Sequence, residues 1–433
     1  MTTPRSASQL GGRDSTLLDA RERLLFPDAE LFYDRPVHIV RGEGSHLFDP
    51  DGTRYLDAYN NVASVGHCHP RVVEATTRQL ATLNTHSRYL HEGIVEYSER
   101  LLATMPPGLD RVVYVCTGSE ANDLALRIAA HHTGAQGVLI TPDAYHGNTQ
   151  AVAAVSPGIG GSVRPGPHVR TIPAPDSYRI PAHELAPRFA AGTAVAIEAL
   201  ATSGLGTSCL IVDSILSSDG IYPDPSVLEP AAGLVRAAGG LVIADEVQAG
   251  FGRTGDAFWG FERHGLVPDI VTVGKPMGNG FPVAAVVVRG DVLASFARAV
   301  PYFNTFAGNP VAMAAASSVL EVIQDERLQD HATRVGGALR ERLQGLADDH
   351  PCLGDVRGAG LYVGVEVVLD RATKEPDPRT AHRLVEAMRD RRVLLATSGP
   401  HGNVLKIRPP LVFSMGDVDW LCQALADALA ELA

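Results

Sequence analysis

The chain reads as an α/β protein built on a mostly parallel sheet covered on both faces. Three observations predict this. Between about residues 70 and 310, short strand-like segments alternate with helical stretches, and several of those strands are apolar at every position. A strand that is apolar throughout has no polar side to offer water, so it belongs inside a sheet with helices on both faces. Shorter segments broken by turn residues precede this region and a separate α/β tail follows it, and 433 residues suffice for two or three units with ample core.

In order along the chain, residues 1–20 are polar and predict a loose arm, with a first helix over 17–25. From Pro36, short segments rich in His, Val, Leu and Tyr alternate with Gly42, Gly44 and Asp51-Gly52, which predicts a small antiparallel meander ending at a Gly/His loop. Helices are expected over 70–83 and 94–105, then a buried strand over 112–116 and a helix over 120–130. Apolar strands follow at 137–141, 209–213, 241–245, 270–274 and 283–288. A long helix over 311–325 leads into the tail, with strands at 361–368 and 403–407. This divides the chain into an arm and small-domain segment (1–65), a large domain (66–310) and a C-terminal small domain (311–433). Ligands of such a sheet bind outside the carboxyl ends of its strands.

Composition excludes several function classes. Lys and Arg total 37 against 49 Asp and Glu, a net charge of −12, with 45% hydrophobic residues. That is an acidic globular balance and argues against a nucleic-acid partner. Five cysteines without close pairs argue against a disulfide framework and fit a reducing cytoplasm. Residues 1–13 hold no apolar core of a secretory signal, and apolar runs such as 281–288 fall short of the roughly 20 residues a membrane helix needs. No membrane association is expected. Only three of the 37 basic residues are lysines, Lys275, Lys374 and Lys406. Coding bias accounts for an excess of Arg; the contexts of the three survivors decide whether they mean more.

The stretch VVYVCTGSEAN (112–122) runs from a buried strand through Thr117-Gly118-Ser119 into a helix. Free N–H groups at a helix start, a glycine and a Ser hydroxyl make a cradle for an anion, or simply an ordinary capped helix. It is neither a Walker A loop nor a dinucleotide fingerprint. Strand 241–244 ends in Asp245-Glu246-Val247-Gln248, where Asp245 is either at a ligand site or a local cap. Thirty positions on, strand 270–273 ends in Gly274-Lys275-Pro276. A lysine on a sharp turn at a strand end is a candidate imine former. Phosphate cradle, strand-end acid and strand-end lysine together are what pyridoxal 5′-phosphate requires. His67 and His69 flank Cys68 in a loop without further ligands, so no metal site is expected.

With these motifs in place, the sequence resembles the class III aminotransferases from about residue 20 to its end. The resemblance is carried by Gly66-His67-Cys68-His69-Pro70, 117–122, Tyr145-His146-Gly147, 245–255, Gly274-Lys275-Pro276 and 305–310. It implies the fold of the fold-type I pyridoxal-phosphate transferases: a mainly parallel seven-stranded sheet in the large domain, and a small α/β domain built from both termini. It also implies that Lys275 is the Schiff-base lysine and Asp245 the partner of the pyridine nitrogen. Gly118 and Ser119 match the phosphate cradle, Tyr145 the aromatic ring stacked on the cofactor, and Val247 and Gln248 the residues at its other face and phenolic oxygen. Thr305 is similar to the threonine that reaches the neighbouring subunit's cofactor, which implies a homodimer with shared active sites.

The chain departs from the family's common pattern twice. Where many members carry Glu-Pro-Ile/Val-Gln-Gly-Glu, it has Asp213-Ser214-Ile215-Leu216-Ser217-Ser218, followed by Asp219. In Leu405-Lys406-Ile407-Arg408-Pro409-Pro410, Lys406 stands where members that hold carboxylates commonly have Arg. Arg grips a carboxylate with a planar fork, whereas Lys is a point charge suited to phosphate. The Ser214 and Ser217 replacements and Leu405-Lys406-Ile407 resemble the phospho-lyase branch that acts on phosphoethanolamine or phosphorylated hydroxylysine, as do Leu31-Phe32, 60–63, 66–70, 83–85, Ser87-Arg88 and Leu90-His91 to Tyr97, while Leu216 and Asp219 remain unusual for it. The resemblance implies elimination of phosphate from a small phosphorylated amine, giving acetaldehyde, ammonia and phosphate from phosphoethanolamine. Arg88 and Lys406 are the candidates for the substrate's charge, or else a solvated rim charge or an inter-subunit ion pair. The alternatives are an aminotransferase of an amine or amino acid with a keto acid and, in another class, a silent binding protein, which intact Lys275 and Asp245 disfavour.

Overall fold

The computed structural model describes residues 11–26, 31–160 and 164–432. The N-terminal part comprises α1 (Gly12–Leu24), β1 (Arg41–Glu43), β2 (His46–Phe48), β3 (Arg54–Asp57), α2 (Pro70–Thr82) and α3 (Glu92–Leu102). The middle holds β4 (Leu109–Val115), α4 (Gly118–Thr133), β5 (Gly137–Ile140), α5 (Gln150–Ala153), β6 (Val169–Thr171), α6 (Ala182–Thr202) and β7 (Thr207–Asp213). It continues with α7 (Glu229–Ala237), β8 (Leu241–Asp245), β9 (Ile270–Val273), β10 (Ala284–Arg289) and α8 (Gly290–Ala299). The C-terminal part comprises α9 (Pro310–Asp325), α10 (Leu328–Asp349), β11 (Leu353–Ala359), β12 (Tyr362–Asp370), β13 (Glu375–Pro376), α11 (Pro378–Asp390), β14 (Val393–Leu394), β15 (Ala396–Ser398), β16 (Val404–Ile407) and α12 (Met415–Leu432).

The largest sheet has seven strands in the order β4-β10-β9-β8-β7-β5-β6. β10 runs antiparallel to both its neighbours, and the pairs from β9 out to β6 are parallel. This is the mainly parallel seven-stranded sheet of the expected fold type. Its apolar strands show why no polar alternation was visible in them. Cys209 and Ile211 pack with Leu124, Ala125 and Ile128 of α4 on one face, while Leu210 and Val212 pack with Leu185, Phe189 and Val235 of α6 and α7 on the other. Successive side chains point to opposite faces, and both faces are covered. Each such fully buried Leu, Ile or Val contributes about 1.5–3 kcal/mol of burial.

A second sheet, β1-β2-β3-β14, is the expected meander with β14 added parallel to β3. A third, β11-β12-β16-β15 with β13 paired to β12, is antiparallel. Lys374 sits between β12 and β13 at a φ of 57° and donates its Nζ to the Tyr178 carbonyl at 2.7 Å, so it pins that turn to the loop at Tyr178.

The arm expected over 1–20 needs correction: α1 begins at Gly12, and residues 1–10 lie outside the described part. Thr16 donates to the Gly12 carbonyl, Asp14 pairs with His38 at 2.8 Å and Leu18 is buried, which together fix a turn of helix in a polar sequence. α3 starts two residues before the expected 94, because the His91 ring accepts the Gly93 N–H and caps it. β6, three residues long at a sheet edge, and glycine-containing β11 carry no pattern a reader would take for strands. No helix among the described residues is long and apolar enough to cross a membrane.

Candidate active site

Three parallel strands end side by side. Asp213 at the end of β7 is in register with Asp245 on β8, and Asp245 with Thr272 on β9. Asp245 is buried and held from several sides. Its Oδ2 accepts from Asn122 Nδ2 at 2.9 Å and lies 2.7 Å from His146 Nδ1, and its Oδ1 accepts the Val247 N–H at 3.1 Å. Asn122 is fixed in turn, accepting from the Thr272 hydroxyl at 2.6 Å and donating to the His146 carbonyl at 2.7 Å. A carboxylate locked this firmly could face a cationic ring nitrogen without reorienting.

One strand away, β9 gives way at Gly274 to a short turn of 3-10 helix over Lys275–Gly278, with Pro276 at its second position. A Cβ on Gly274 would meet the Gly118 backbone at 3.4 Å, so the lysine turn stacks directly on the start of α4. Burial lowers the proton affinity of the Lys275 amine and the Arg408 cation lowers it further, while Asp245 and Asp213 oppose both. Among the described residues its side chain makes no hydrogen bond.

At the start of α4, Thr117 and Glu120 form a reciprocal capping box. The Gly118 and Ser119 N–H groups have no acceptor among the described residues, and the Ser119 hydroxyl accepts the Asn148 N–H at 3.2 Å. Val247 stands 3.1 Å from where a Gly118 Cβ would be. Gly147 holds a φ of 136°, and a Cβ there would come within 2.4 Å of Ser119 Oγ. Gly147 is therefore dictated by the close approach of these segments, and a side chain at Gly118 would press on Val247.

A cavity of about 260 Å³ opens between these elements, lined by Gly118, Ser119, Tyr145, Asp245, Val247, Gln248 and Lys275 together with Asp213 and His146. Its donor set fits pyridoxal phosphate: unpaired N–H groups at a helix start for the phosphate, a buried acid for the ring nitrogen and an amine of lowered proton affinity. A second cavity of about 460 Å³ reaches Lys275 from another side, with mostly apolar walls that include Phe32, Tyr33, Val37, Ile39 and Leu47, and with Arg408.

The other expected residues lie elsewhere. Thr305 is exposed, and exposed Arg88 lays its guanidinium 3.8 Å from the centre of the Phe303 ring. Lys406 is buried and lines neither cavity, donating to the Ser217 carbonyl at 3.3 Å and the Ser398 hydroxyl at 3.4 Å. Arg408 follows the end of β16, and its sequence motif gave it no role. It donates to the Tyr59 carbonyl at 3.0 Å and to Gln248 Oε1, which also accepts from Asn61 at 2.9 Å. The signal for Arg408 was its place in the Leu405–Pro410 motif, two positions beyond Lys406. His67 and His69 diverge, to Asp57 at 2.6 Å and Glu326 at 3.2 Å.

The departures in the 213–219 loop resolve into structure. The Ser214 hydroxyl donates to buried Glu246, which also accepts the Gly260 and Phe261 N–H groups and whose carboxyl is pushed up to about 7 by burial. Asp219 accepts from the Thr141 hydroxyl at 2.6 Å and the Asp143 N–H at 3.0 Å, tying the loop to the end of β5, and burial raises it to about 7.

Comparison with known proteins agrees with this geometry. The family model for class III aminotransferases matches residues 32–429. An alanine-glyoxylate aminotransferase 2-like protein of Drosophila melanogaster is 44% identical over 90% of this chain and 82% of its own. Ethanolamine-phosphate phospho-lyase homolog 1 of Caenorhabditis elegans is 38% identical over 96% of this chain and 94% of its own. Among solved structures, a phospholyase from Arthrobacter in complex with phosphoethanolamine superposes with a TM-score of 0.93 at 43% identity, covering 96% of this chain and all of the other. The chain belongs to the class III aminotransferase family.

Proposed function

We propose that the protein is a pyridoxal-phosphate-dependent phospho-lyase that eliminates phosphate from a small phosphorylated amine such as phosphoethanolamine. The observation that carries this reading is the likeness, at 43% identity over 96% of the chain, to a phospholyase solved with phosphoethanolamine. The replacement of the family's arginine by Lys406 supports it. In this reading Gly118, Ser119 and the start of α4 hold the cofactor phosphate, Asp245 faces the ring nitrogen, and Tyr145 and Val247 pack against the ring. When bound, pyridoxal phosphate supplies an electron sink conjugated to the substrate nitrogen.

Lys275 takes the proton from the carbon that bears the nitrogen, a role its lowered proton affinity favours. The carbon–oxygen bond to phosphate then breaks with its electron pair leaving on phosphate, and a carbon–carbon double bond forms. Water converts the released two-carbon enamine to acetaldehyde and ammonia, which balances the reaction. Lys406 braces the Ser217 carbonyl beside Asp213, and Arg88 supplies charge at the surface. Thr305 reaches the cofactor of a second copy, so the active assembly is a homodimer. The exposed apolar side chains of Tyr89, Leu90 and Phe306 in the same region as Thr305 and Arg88 support that contact surface.

A second reading is an aminotransferase of a larger amine with a keto acid. The apolar cavity of about 460 Å³ beside Lys275 favours it, since phosphoethanolamine would leave much of that space unused. Incubation of the purified enzyme with phosphoethanolamine and no keto acid separates the two. Release of inorganic phosphate is expected, and its absence overturns the lyase reading.

A further inference from the structure

Asp213 is a buried-site carboxylate with no task in the reaction above. It stands in register with Asp245 and lines the same cavity as Lys275, yet the two acids are held differently. Asp245 is engaged by Asn122, His146 and the Val247 N–H. Asp213 accepts from the backbone of its own loop, the Ile215 N–H at 3.1 Å on Oδ1 and the Ser217 N–H at 3.0 Å on Oδ2. That turn presents the Ser217 carbonyl to Lys406 Nζ at 3.3 Å. One carboxylate thus fixes the group that holds a buried lysine.

The charges around it need an anion. Lys275, Lys406 and Arg408 bring three cationic side chains to one region, and Arg408 is bound to the neutral Gln248 and the Tyr59 carbonyl. Asp245 and Asp213 are the anions nearest them. Burial raises the carboxyl of Asp213 too, but the Ile215 and Ser217 N–H groups favour its charged form; Asp219, further along that loop, and Glu246, which follows Asp245 at the end of β8, are also raised by burial, and the buried Tyr362 hydroxyl is neutral. A buried ammonium without opposing charge is costly.

We propose that Asp213 is a positioning residue, whose carboxylate anchors the turn that holds Lys406 and supplies the negative charge that lets Lys275 carry a proton within each turnover. This rests on Lys275 being the cofactor-bearing, proton-moving amine, and it applies equally to elimination and to amino transfer. The field has a sign. Asp213 favours the protonated form of both lysines, Arg408 disfavours it in both, and Lys275 disfavours it in Lys406, whose proton affinity burial holds well below the usual amine range.

The test uses the full-length chain freed of cofactor and measures the pH dependence of acetylation of Lys275 by trace acetic anhydride, read by peptide mass spectrometry. With three lysines in the chain the assignment is direct. Asp213→Asn should lower the labelling midpoint by about one pH unit, and Lys406→Met, which removes the coupling between the two amines, should raise it by less. Asp213→Glu should return it to near the parent value. A merely structural role would move both midpoints the same way or neither, and either result overturns the proposal. If Asp213→Asn does not fold, judged by failure to rebind pyridoxal phosphate, Lys406→Met and Asp213→Glu decide: an unmoved midpoint in the first or a full-unit fall in the second overturns it. Lack of phosphate release would sink the lyase reading and leave these midpoints untouched. Retention of the cofactor's bound absorbance by Lys275→Ala would instead remove the premise.

Discussion

Lys275 and Asp245 emerge from neighbouring strands, and each could be read from its own short motif because a strand end is a local feature. Lys275→Ala is expected to lose the bound-cofactor absorbance and to lower turnover by at least about 10²–10⁴-fold, the worth of a positioned acid–base group. A difference spectrum and initial rates check both. What the sequence could not disclose is orientation. Lys406 was expected to meet substrate charge, but pairing of β16 with β12 and β15 places its Nζ among Ser217 and Ser398. Asn122 and His146 stood inside quoted motifs, yet their hold on Asp245 depends on contacts 123 and 99 residues apart. Asp219 gives a pH signature. Its folded carboxyl, at about 7, lies above the roughly 3.9 of an unfolded Asp, so the folded state keeps a proton that the unfolded state has shed. Its contribution to stability is full below about pH 4 and is lost as pH rises through about 7. Asp219→Asn should therefore gain stability relative to the parent across that interval in urea melts; a flat difference would contradict the assignment.

At the scale of elements, helix and strand positions in the large sheet were legible to within a few residues, because strands apolar on both faces and helices such as α4, with Ala121, Leu124, Ala125 and Ile128 buried, follow simple periodicities. The 213–222 loop was not. Leu216 and Ile221 adopt φ of 46° and 65°, a left-handed conformation that no local signal foretells for such side chains. Ser214, replacing the family's proline, braces this loop through Glu246, so Ser214→Ala should cost about 1–3 kcal/mol in urea unfolding by leaving a buried carboxyl short of a donor. The ratio of products formed should not change. A changed ratio with unchanged stability would place Ser214 at the substrate instead.

For the whole molecule, the sequence patterns indicate a large sheet flanked by smaller parts, and the structure shows three sheets with Asp245 and Lys275 at the carboxyl ends of the largest. The exposed Tyr89, Leu90 and Phe306 are the surface that the proposed homodimer would cover, and intrachain patterns do not express such a contact. Leu90→Asp should shift the enzyme from dimer toward monomer in light scattering and lower activity in parallel, because Thr305 would no longer reach a neighbouring site. An unchanged mass would remove that surface from the account. The most direct measurement concerns the fate of the substrate. With phosphoethanolamine and pyruvate supplied together, the account predicts phosphate, acetaldehyde and ammonia in equal amounts and little alanine. Alanine formed without phosphate release would contradict it.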